Sequence, residues 1–176
     1  MKIKWLVLVI AFVILGFFQE LIKVNVNYVI EQGSLIEGFF NKGYDERITA
    51  LADSKRNNPF DYYHSHTPIN ALQLLSLGQL KALKWLLTIV FVVIFFLLNR
   101  KALSWLIKDA RMNKWLLSTY FISFGSAFFI YGLGHVFGSM DLFYNISRKM
   151  VGALQSPVPA MMNWAAWQLY IQQSKK

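Results

Sequence analysis

The sequence predicts an all-α, polytopic membrane protein: a bundle of four transmembrane helices with amphipathic surface helices in a long outer loop. Two observations carry this prediction. The 176 residues are 56% hydrophobic and only 15% charged, whereas about a quarter of the residues in ordinary globular domains are charged. Residues 85–98 form an uncharged apolar run that is followed by Arg100 and Lys101. A lipid bilayer accommodates such a run, and a small soluble domain does not.

The net charge of +9 indicates contact with membrane lipids, and we expect no nucleic-acid partner. The basic residues cluster at the ends of apolar runs, where they meet anionic headgroups and set topology. A nucleic-acid-binding domain would instead gather them on one face. The sequence has no cysteine, which excludes a disulfide framework, Cys-based zinc sites and a thiol nucleophile. We expect no cofactor and no metal in a single membrane domain that covers residues 1–176.

The first predicted span covers about residues 5–22 and is expected to remain uncleaved. Lys2 and Lys4 give it a basic start, and no small-residue cleavage pattern follows. A helix that ended at Phe18 would rise only about 21 Å, which is short of a ~30 Å hydrocarbon core. The helix is therefore expected to continue to about Ile22 and to place Glu20 near the outer interface.

Residues 23–79 form the predicted outer segment, with one or two amphipathic helices. Ser34–Glu37 matches a capping box, which predicts a helix start. Thr67 before Pro68 predicts another start, and this helix is expected to run on into the second span at residues 80–98. Lys81 and Lys84 in its middle are predicted to snorkel outward or to face a partner's acidic groups.

The segment between the second and third spans, residues 99–114, marks the cytoplasmic side of the predicted topology. It holds five basic residues and a single acid, Asp109. Short basic loops stay in the cytoplasm. We therefore expect a multi-pass protein of the cell inner membrane, with both termini cytoplasmic and residues 23–79 outside.

The third predicted span covers residues 115–137, and the fourth covers residues 150–170 after a short outer loop. Small residues let helix backbones approach in lipid, and the third span has a predicted packing face of such residues. Pro157 and Pro159 are expected to kink the fourth span or to open it as a re-entrant turn. The residues of the packing face are Ser123, Ala127, Gly134 and Gly138.

Few side chains are candidates for chemistry. Asp61, His64 and His66, with His135 further on, have metal-ligand residue types, but their spacing favours surface or capping histidines. Arg148 and Lys149 could bind a lipid phosphate or a partner's carboxylate, or they could be an ordinary snorkelling pair. The buried polar candidates are expected to satisfy neighbouring helices rather than a ligand; they are Thr88, Gln155, Asn163 and Gln168.

Two stretches carry a resemblance to a known family. One is the central span LKALKWLLTIVFVVIFFLLNRKAL, and the other is the closing stretch SRKMVGALQSPVPAMMNWAAWQLY, where an arginine precedes a proline-containing span that ends in aromatics. Together with the N-terminal anchor and the long outer segment, they resemble the small membrane proteins associated with exosortases in Gram-negative bacteria. The resemblance singles out Arg148, Pro157 and Pro159 as family-like positions.

The resemblance implies a polytopic partner, an exosortase that processes and sorts exported proteins. Such an enzyme looks to be built on catalytic Cys, Arg and His, and this sequence has no Cys. The predicted function is therefore a non-enzymatic accessory subunit of that machine. Two alternatives stay open: a small transporter or lipid-handling protein that uses the kinked fourth span, and a membrane enzyme at His64, His66 and His135.

Overall fold

The computed structural model describes residues 2–57 and 69–174, and these residues form helices and turns with no strand. The predicted all-helical class is confirmed for the described residues. Two short 3-10 turns lie at Phe39–Asn41 and Asn70–Leu74. The α-helices of the described ranges are α1 (Lys2–Leu35), α2 (Tyr44–Asn57), α3 (Leu77–Leu106), α4 (Arg111–Phe137), α5 (Met140–Leu154) and α6 (Val158–Gln173).

Three helical segments are long and apolar enough to cross a bilayer. They are Leu6–Leu35 within α1, Leu77–Leu106 and Arg111–Phe137. A 30-residue helix rises about 45 Å, which is more than the ~30 Å of hydrocarbon requires. All three leave large apolar side chains exposed, including Phe17, Val93 and Phe121, as helices in contact with lipid do. The finding is consistent with a membrane protein.

Residues 17–89 form the smaller of two compact units. Its core joins the second half of α1 to α2 and to the first turn of α3. The buried residues of this core are Tyr28, Val29, Phe39, Leu51 and Leu80. Burying these side chains stabilises the unit by about 2 kcal/mol each, so the unit has an apolar core of its own.

The first helix does not end near Ile22 as predicted but continues to Leu35. Ser34 begins no new helix, because its hydroxyl donates to the Ile30 carbonyl oxygen at 2.6 Å within the last turn of α1. Tyr28, Val29 and Gln32 are buried close to the end of α1, so core packing overrides the local capping signal.

The third helix begins at Leu77 and not near Pro68. Ile69 is extended and a 3-10 turn follows it, so the predicted continuous helix is wrong for the described residues. Thr67 and Pro68 lie outside these residues. Ser76 and Gln79 form the actual cap: the Gln79 N–H donates to Ser76 Oγ at 3.3 Å, and the Ser76 N–H donates to Gln79 Oε1 at 2.9 Å. This is a capping box that reading the sequence overlooked.

Residues 1–16 and 90–176 form the larger unit. Here α5 runs antiparallel to α4. The rings of Phe143 and Phe137 stack at 6.1 Å, and further along α5 the Leu154 carbonyl accepts a hydrogen bond from the Tyr120 hydroxyl. The core of this unit gathers side chains from all four of its helices and from the start of α1; its buried members are Leu8, Ala102, Leu103, Ile107, Met112, Leu116, Tyr120, Leu154, Ala160 and Trp167.

The last part of the chain differs from its predicted layout. Residues 138–149 were predicted as an outer loop, but nearly all of them belong to α5. The predicted fourth span at residues 150–170 is divided between the end of α5 and α6, and neither helix is among the candidate spans. The loop prediction was wrong because glycines and charges at these positions look like a turn, whereas Met140 and Phe143 of α5 pack against Gly134 of α4.

Candidate functional site

The break between α5 and α6 is the main irregularity of the larger unit. Pro157 precedes the first residue of α6, and Pro159 lies in its first turn. Proline lacks a backbone N–H and disfavours a helical residue before it, so one continuous helix cannot form here. Ser156 completes the turn, because its hydroxyl donates to the Ala153 carbonyl oxygen at 2.6 Å and accepts the Val158 N–H at 3.2 Å.

Asn99 of α3 satisfies backbone groups that the break exposes. It is fully buried, with 0% of its surface exposed. Its amide nitrogen donates to the Ser156 carbonyl oxygen at 2.8 Å, and its Oδ1 accepts the Ala160 N–H at 3.2 Å. Tyr120 extends the network: its hydroxyl accepts from Asn99 at 2.9 Å and donates to the Leu154 carbonyl oxygen at 2.8 Å. Two side chains thus satisfy backbone groups on both sides of the break.

Polar and aromatic contacts hold α6 against the first half of α4. Asn163 donates to Thr119 Oγ1 at 3.1 Å and to the Pro159 carbonyl oxygen at 2.8 Å. The Arg111 guanidinium lies 5.5 Å from the ring centre of Trp167, within cation–π range. These contacts begin at Asn163 and extend to Trp167, one turn further along α6, so they hold α6 against α4 over more than one turn.

Arg111 also shapes the turn between α3 and α4. Its guanidinium forms an ion pair with Asp109 at 2.9 Å. The hydrogen bonds that the Arg111 guanidinium donates to the Asp109 carboxylate hold the pKa of Asp109 below its usual value. The pair is exposed, so it contributes little to stability; its role is to orient the start of α4.

Arg148 and Lys149 lie in the middle of α5 rather than in a loop, and both side chains are exposed. Asp141 and Asn145 project from the same face, because positions separated by three, four or seven residues align on a helix. The structure therefore gathers these residues into one exposed polar face, which we call the α5 polar face: Asp141, Asn145, Arg148 and Lys149.

The small residues predicted to pack have different surroundings. Ala127 is buried, and a Cβ on Gly134 would lie 2.9 Å from Phe143 Cβ. Ser123 is half-buried. Gly138 ends α4 with a φ of 66° and has open space around it. Ala127 and Gly134 are seven residues apart and lie on the side of α4 that faces α5 at Gly134. Gly138 instead ends α4 and lets the chain turn back into α5.

The predicted lysines and the remaining polar candidates are dispersed. Lys81 is exposed in the second turn of α3, and Lys84 is half-buried one turn further. Thr88 donates to the Lys84 carbonyl oxygen at 2.9 Å. Gln155 is buried at the break, and Gln168 is exposed on α6. The structure therefore brings only Gln155 and Asn163 near the Asn99 network.

The histidines gain no support as a metal site. Asp61, His64 and His66 lie outside the described residues. His135 is exposed on α4, with its ring 5.3 Å from that of Tyr131. Residues 2–57 and 69–174 contain no group of three potential metal ligands of the His, Cys, Asp and Glu types.

Arg47 organises the smaller unit, and sequence reasoning missed it. Only 9% of its surface is exposed. It donates to four carbonyl oxygens: those of Phe40 at 2.5 Å, Gln73 at 2.7 Å, Lys42 at 2.9 Å and Leu75 at 3.1 Å. The guanidinium also lies 5.7 Å from the centre of the Phe39 ring. A buried cation here joins the 3-10 turn before α2 to the segment before α3.

Sequence reasoning missed Asn99, Arg47 and Tyr120 for a shared reason. Asn99 and Arg47 each look like an ordinary polar residue in a basic or amphipathic stretch, and Tyr120 looks like an aromatic in a span. Their roles depend on backbone groups far along the chain, which one sequence does not reveal. Pro157 and Pro159 did predict the break itself.

The Asn99 network has a clear chemical limit. Its amide and hydroxyl groups bind the protein's own backbone, and none is an acid or a base near neutral pH. The network therefore suits positioning of a helix rather than proton transfer. Comparison of the chain with family models, curated proteins and solved structures finds no match.

Proposed function

We propose that this protein is a non-enzymatic accessory subunit of an inner-membrane machine of exosortase type that processes and sorts exported proteins. The resemblance of its layout to exosortase-associated proteins supports its assignment to this type of machine. The side chains of Asn99, Tyr120 and Asn163 donate hydrogen bonds to backbone carbonyl oxygens, which supports a positioning role. α5 and α6 together form a fourth, discontinuous crossing, and both termini lie in the cytoplasm.

The observation that carries a partner-binding role is a glycine face on α4. Gly125 and Gly132 are seven residues apart and so share one side of the helix. A Cβ at either position would meet no atom within 4 Å. This side is opposite to Ala127 and Gly134, and the exposed rings of Phe121, Phe128 and Phe129 border it. In lipid, exposed glycines allow another helix backbone to approach closely, so the glycine face fits a helix of a polytopic partner.

Co-purification tests the accessory role. The full chain, co-expressed with an exosortase-type protein and extracted in mild detergent, is expected to retain that protein. Gly125→Leu with Gly132→Leu is expected to reduce the retained amount at least about tenfold, because the added side chains prevent close approach. Gly16→Leu is the matched control, since Gly16 is equally open on α1. A wild-type chain that purifies without the exosortase would contradict the proposal.

The discontinuous fourth crossing favours one alternative, a small transporter or lipid-handling protein. Transport sites often form where a membrane helix is interrupted, and Gln155 is buried beside this break. Substrate flux in proteoliposomes that Gln155→Ala abolishes and Gln168→Ala preserves would favour transport. The absence of flux in both wild type and variants leaves the accessory role as the better explanation.

A further inference from the structure

One end of the larger unit gathers aromatic and basic side chains. Two candidate spans meet there, because one ends at Leu106 and the next begins at Arg111. The end of α6 reaches the same level, since the ring centres of Trp167 and Tyr170 lie 5.6 Å and 5.7 Å from that of Trp115 in α4. Tryptophan and tyrosine concentrate where membrane helices meet the headgroup region. This end of α3, α4 and α6 therefore has the composition of a membrane interface.

Four exposed cations lie within about two helical turns of this junction. None of them has an ion-pair partner in residues 2–57 and 69–174. The ammonium group of Lys101 lies 5.7 Å from the ring centre of Trp105 in the next turn of α3. We call this set the basic band, and its members are Arg100, Lys101, Lys108 and Lys114.

Arg111 does not belong to the basic band, because it already has an anion. Its guanidinium pairs with Asp109 at 2.9 Å and donates to the Tyr170 hydroxyl at 3.3 Å. Asp109 is the single acid among residues 99–114, which hold five basic residues. The chain thus neutralises one of five local cations and leaves the four of the basic band without a counter-charge from this segment.

Exposed leucines border the basic band. Leu97 lies one turn from Arg100 and Lys101, and Leu117 lies one turn from Lys114, so they share helix faces with these cations. The side chains of Leu97 and Leu117 are 54% and 45% exposed. A molecule bound here therefore meets apolar surface directly beside positive charge, and this combination matches an anionic lipid better than a soluble phosphate.

We propose that the basic band binds the headgroup phosphates of anionic membrane lipids, with acyl chains against the neighbouring leucines. Lipid phosphates are the anions that a bilayer presents at the level of an aromatic belt, and each nearby Lys or Arg contributes about 1 kcal/mol to the attraction. Guanidinium and ammonium groups both donate charge-assisted hydrogen bonds to phosphate oxygens. The basic band shares no residue with the glycine face on α4, so its test is separate from that of the proposed accessory function.

Native mass spectrometry of the full-length protein in mild detergent measures the lipid preference. The probe is an equimolar mixture of phosphatidylglycerol, which is anionic, and phosphatidylcholine, which has no net charge. Wild type is expected to retain phosphatidylglycerol preferentially. Replacement of all four residues of the basic band by glutamine is expected to lower this preference at least about tenfold. Lys55→Gln with Arg56→Gln is the matched control for Arg100→Gln with Lys101→Gln, since both are adjacent exposed pairs, and it is expected to leave the preference unchanged.

Asp109→Asn tests the basic band by a gain of binding. The substitution frees the Arg111 guanidinium from its carboxylate, and asparagine can still accept the Arg111 N–H that Asp109 accepts at 2.8 Å. The preference for phosphatidylglycerol is expected to rise about fivefold, because one more cation becomes available. Damage to the fold would not produce such a rise. An unchanged or lower preference in this variant would contradict the proposal.

Three further outcomes overturn the proposal. One is equal retention of the two lipids by wild type. Another is a loss of preference in Arg148→Gln with Lys149→Gln as large as that of the fourfold variant, which would assign the lipid to the α5 polar face. The third is displacement of phosphatidylglycerol by an equal concentration of glycerol 3-phosphate, which would assign the basic band to a soluble phosphate.

Two double variants keep the test available where the fourfold variant does not accumulate. They are Arg100→Gln with Lys101→Gln and Lys108→Gln with Lys114→Gln. Each is expected to lower the preference for phosphatidylglycerol about threefold or more, because each removes two of the four charges. A preference equal to that of wild type in both double variants rejects the lipid site.

Discussion

Asn99→Leu is expected to lower the free energy of unfolding by about 3–5 kcal/mol, because several buried backbone groups lose their partner at once. The substitution removes the donor to the Ser156 carbonyl oxygen and the acceptor of the Ala160 N–H. No water is at hand in an apolar interior to replace them. Leucine has a similar volume, so the loss reports the hydrogen bonds more than the packing.

Thermal unfolding in detergent, followed by circular dichroism, measures this effect. Asn113→Leu is the matched control, since Asn113 is exposed on α4 and should change stability by less than about 0.5 kcal/mol. Tyr120→Phe removes only the hydroxyl bound to Asn99 and Leu154 and should cost about 1–2 kcal/mol. Equal melting temperatures for Asn99→Leu and wild type would show that the break is not held by this residue.

Arg47→Met is expected to loosen the smaller unit, with a loss of about 3 kcal/mol or more in its local stability. Arg47 donates to four backbone carbonyls, and hydrogen bonds to a charged group are worth about 1.5–3 kcal/mol each. Methionine preserves much of the apolar stem but none of the donors. Lysine is not expected to rescue the variant, because a single ammonium cannot reproduce the planar guanidinium.

Amide hydrogen exchange measures the Arg47 effect residue by residue. Faster exchange is expected in α2 and at the start of α3, whereas amides of α4 should keep their protection. Arg56→Met is the control, since Arg56 is exposed at the end of α2. The same amide protection in Arg47→Met as in wild type would refute the role assigned to this buried arginine.

The membrane class and the end of α4 could be predicted because they depend on local composition. A long apolar run without charge has one common explanation, and a glycine after Phe137 is a frequent helix end. The position of the break was also readable, since Pro157 and Pro159 act on their own backbone. These signals require no knowledge of what lies across the fold.

The remaining features depend on residues that are distant in sequence. The Ser34–Glu37 pattern was a plausible start, but α1, with Tyr28 and Val29 buried, remains helical to Leu35, and a turn follows. The charges of α5 made that segment look like a loop, because its apolar residues find their partner only on α4. Neither outcome follows from propensity, since tertiary packing overrides it.

The surroundings of the basic pair were missed for a related reason. Arg148 was expected just before a helix, whereas it lies within α5, which packs along α4.

The bonds of Asn99 set an order of events during biosynthesis. Asn99 is synthesised 57 residues before Ser156 and 61 residues before Ala160, so its amide first has only the Phe95 carbonyl of its own helix as a partner and then, once α4 is made, the Tyr120 hydroxyl. Contacts over such separations form late in folding. The larger unit therefore cannot mature helix by helix as the chain emerges, and nascent chains interrupted before α6 should present Asn99 to membrane quality control as an unfinished product.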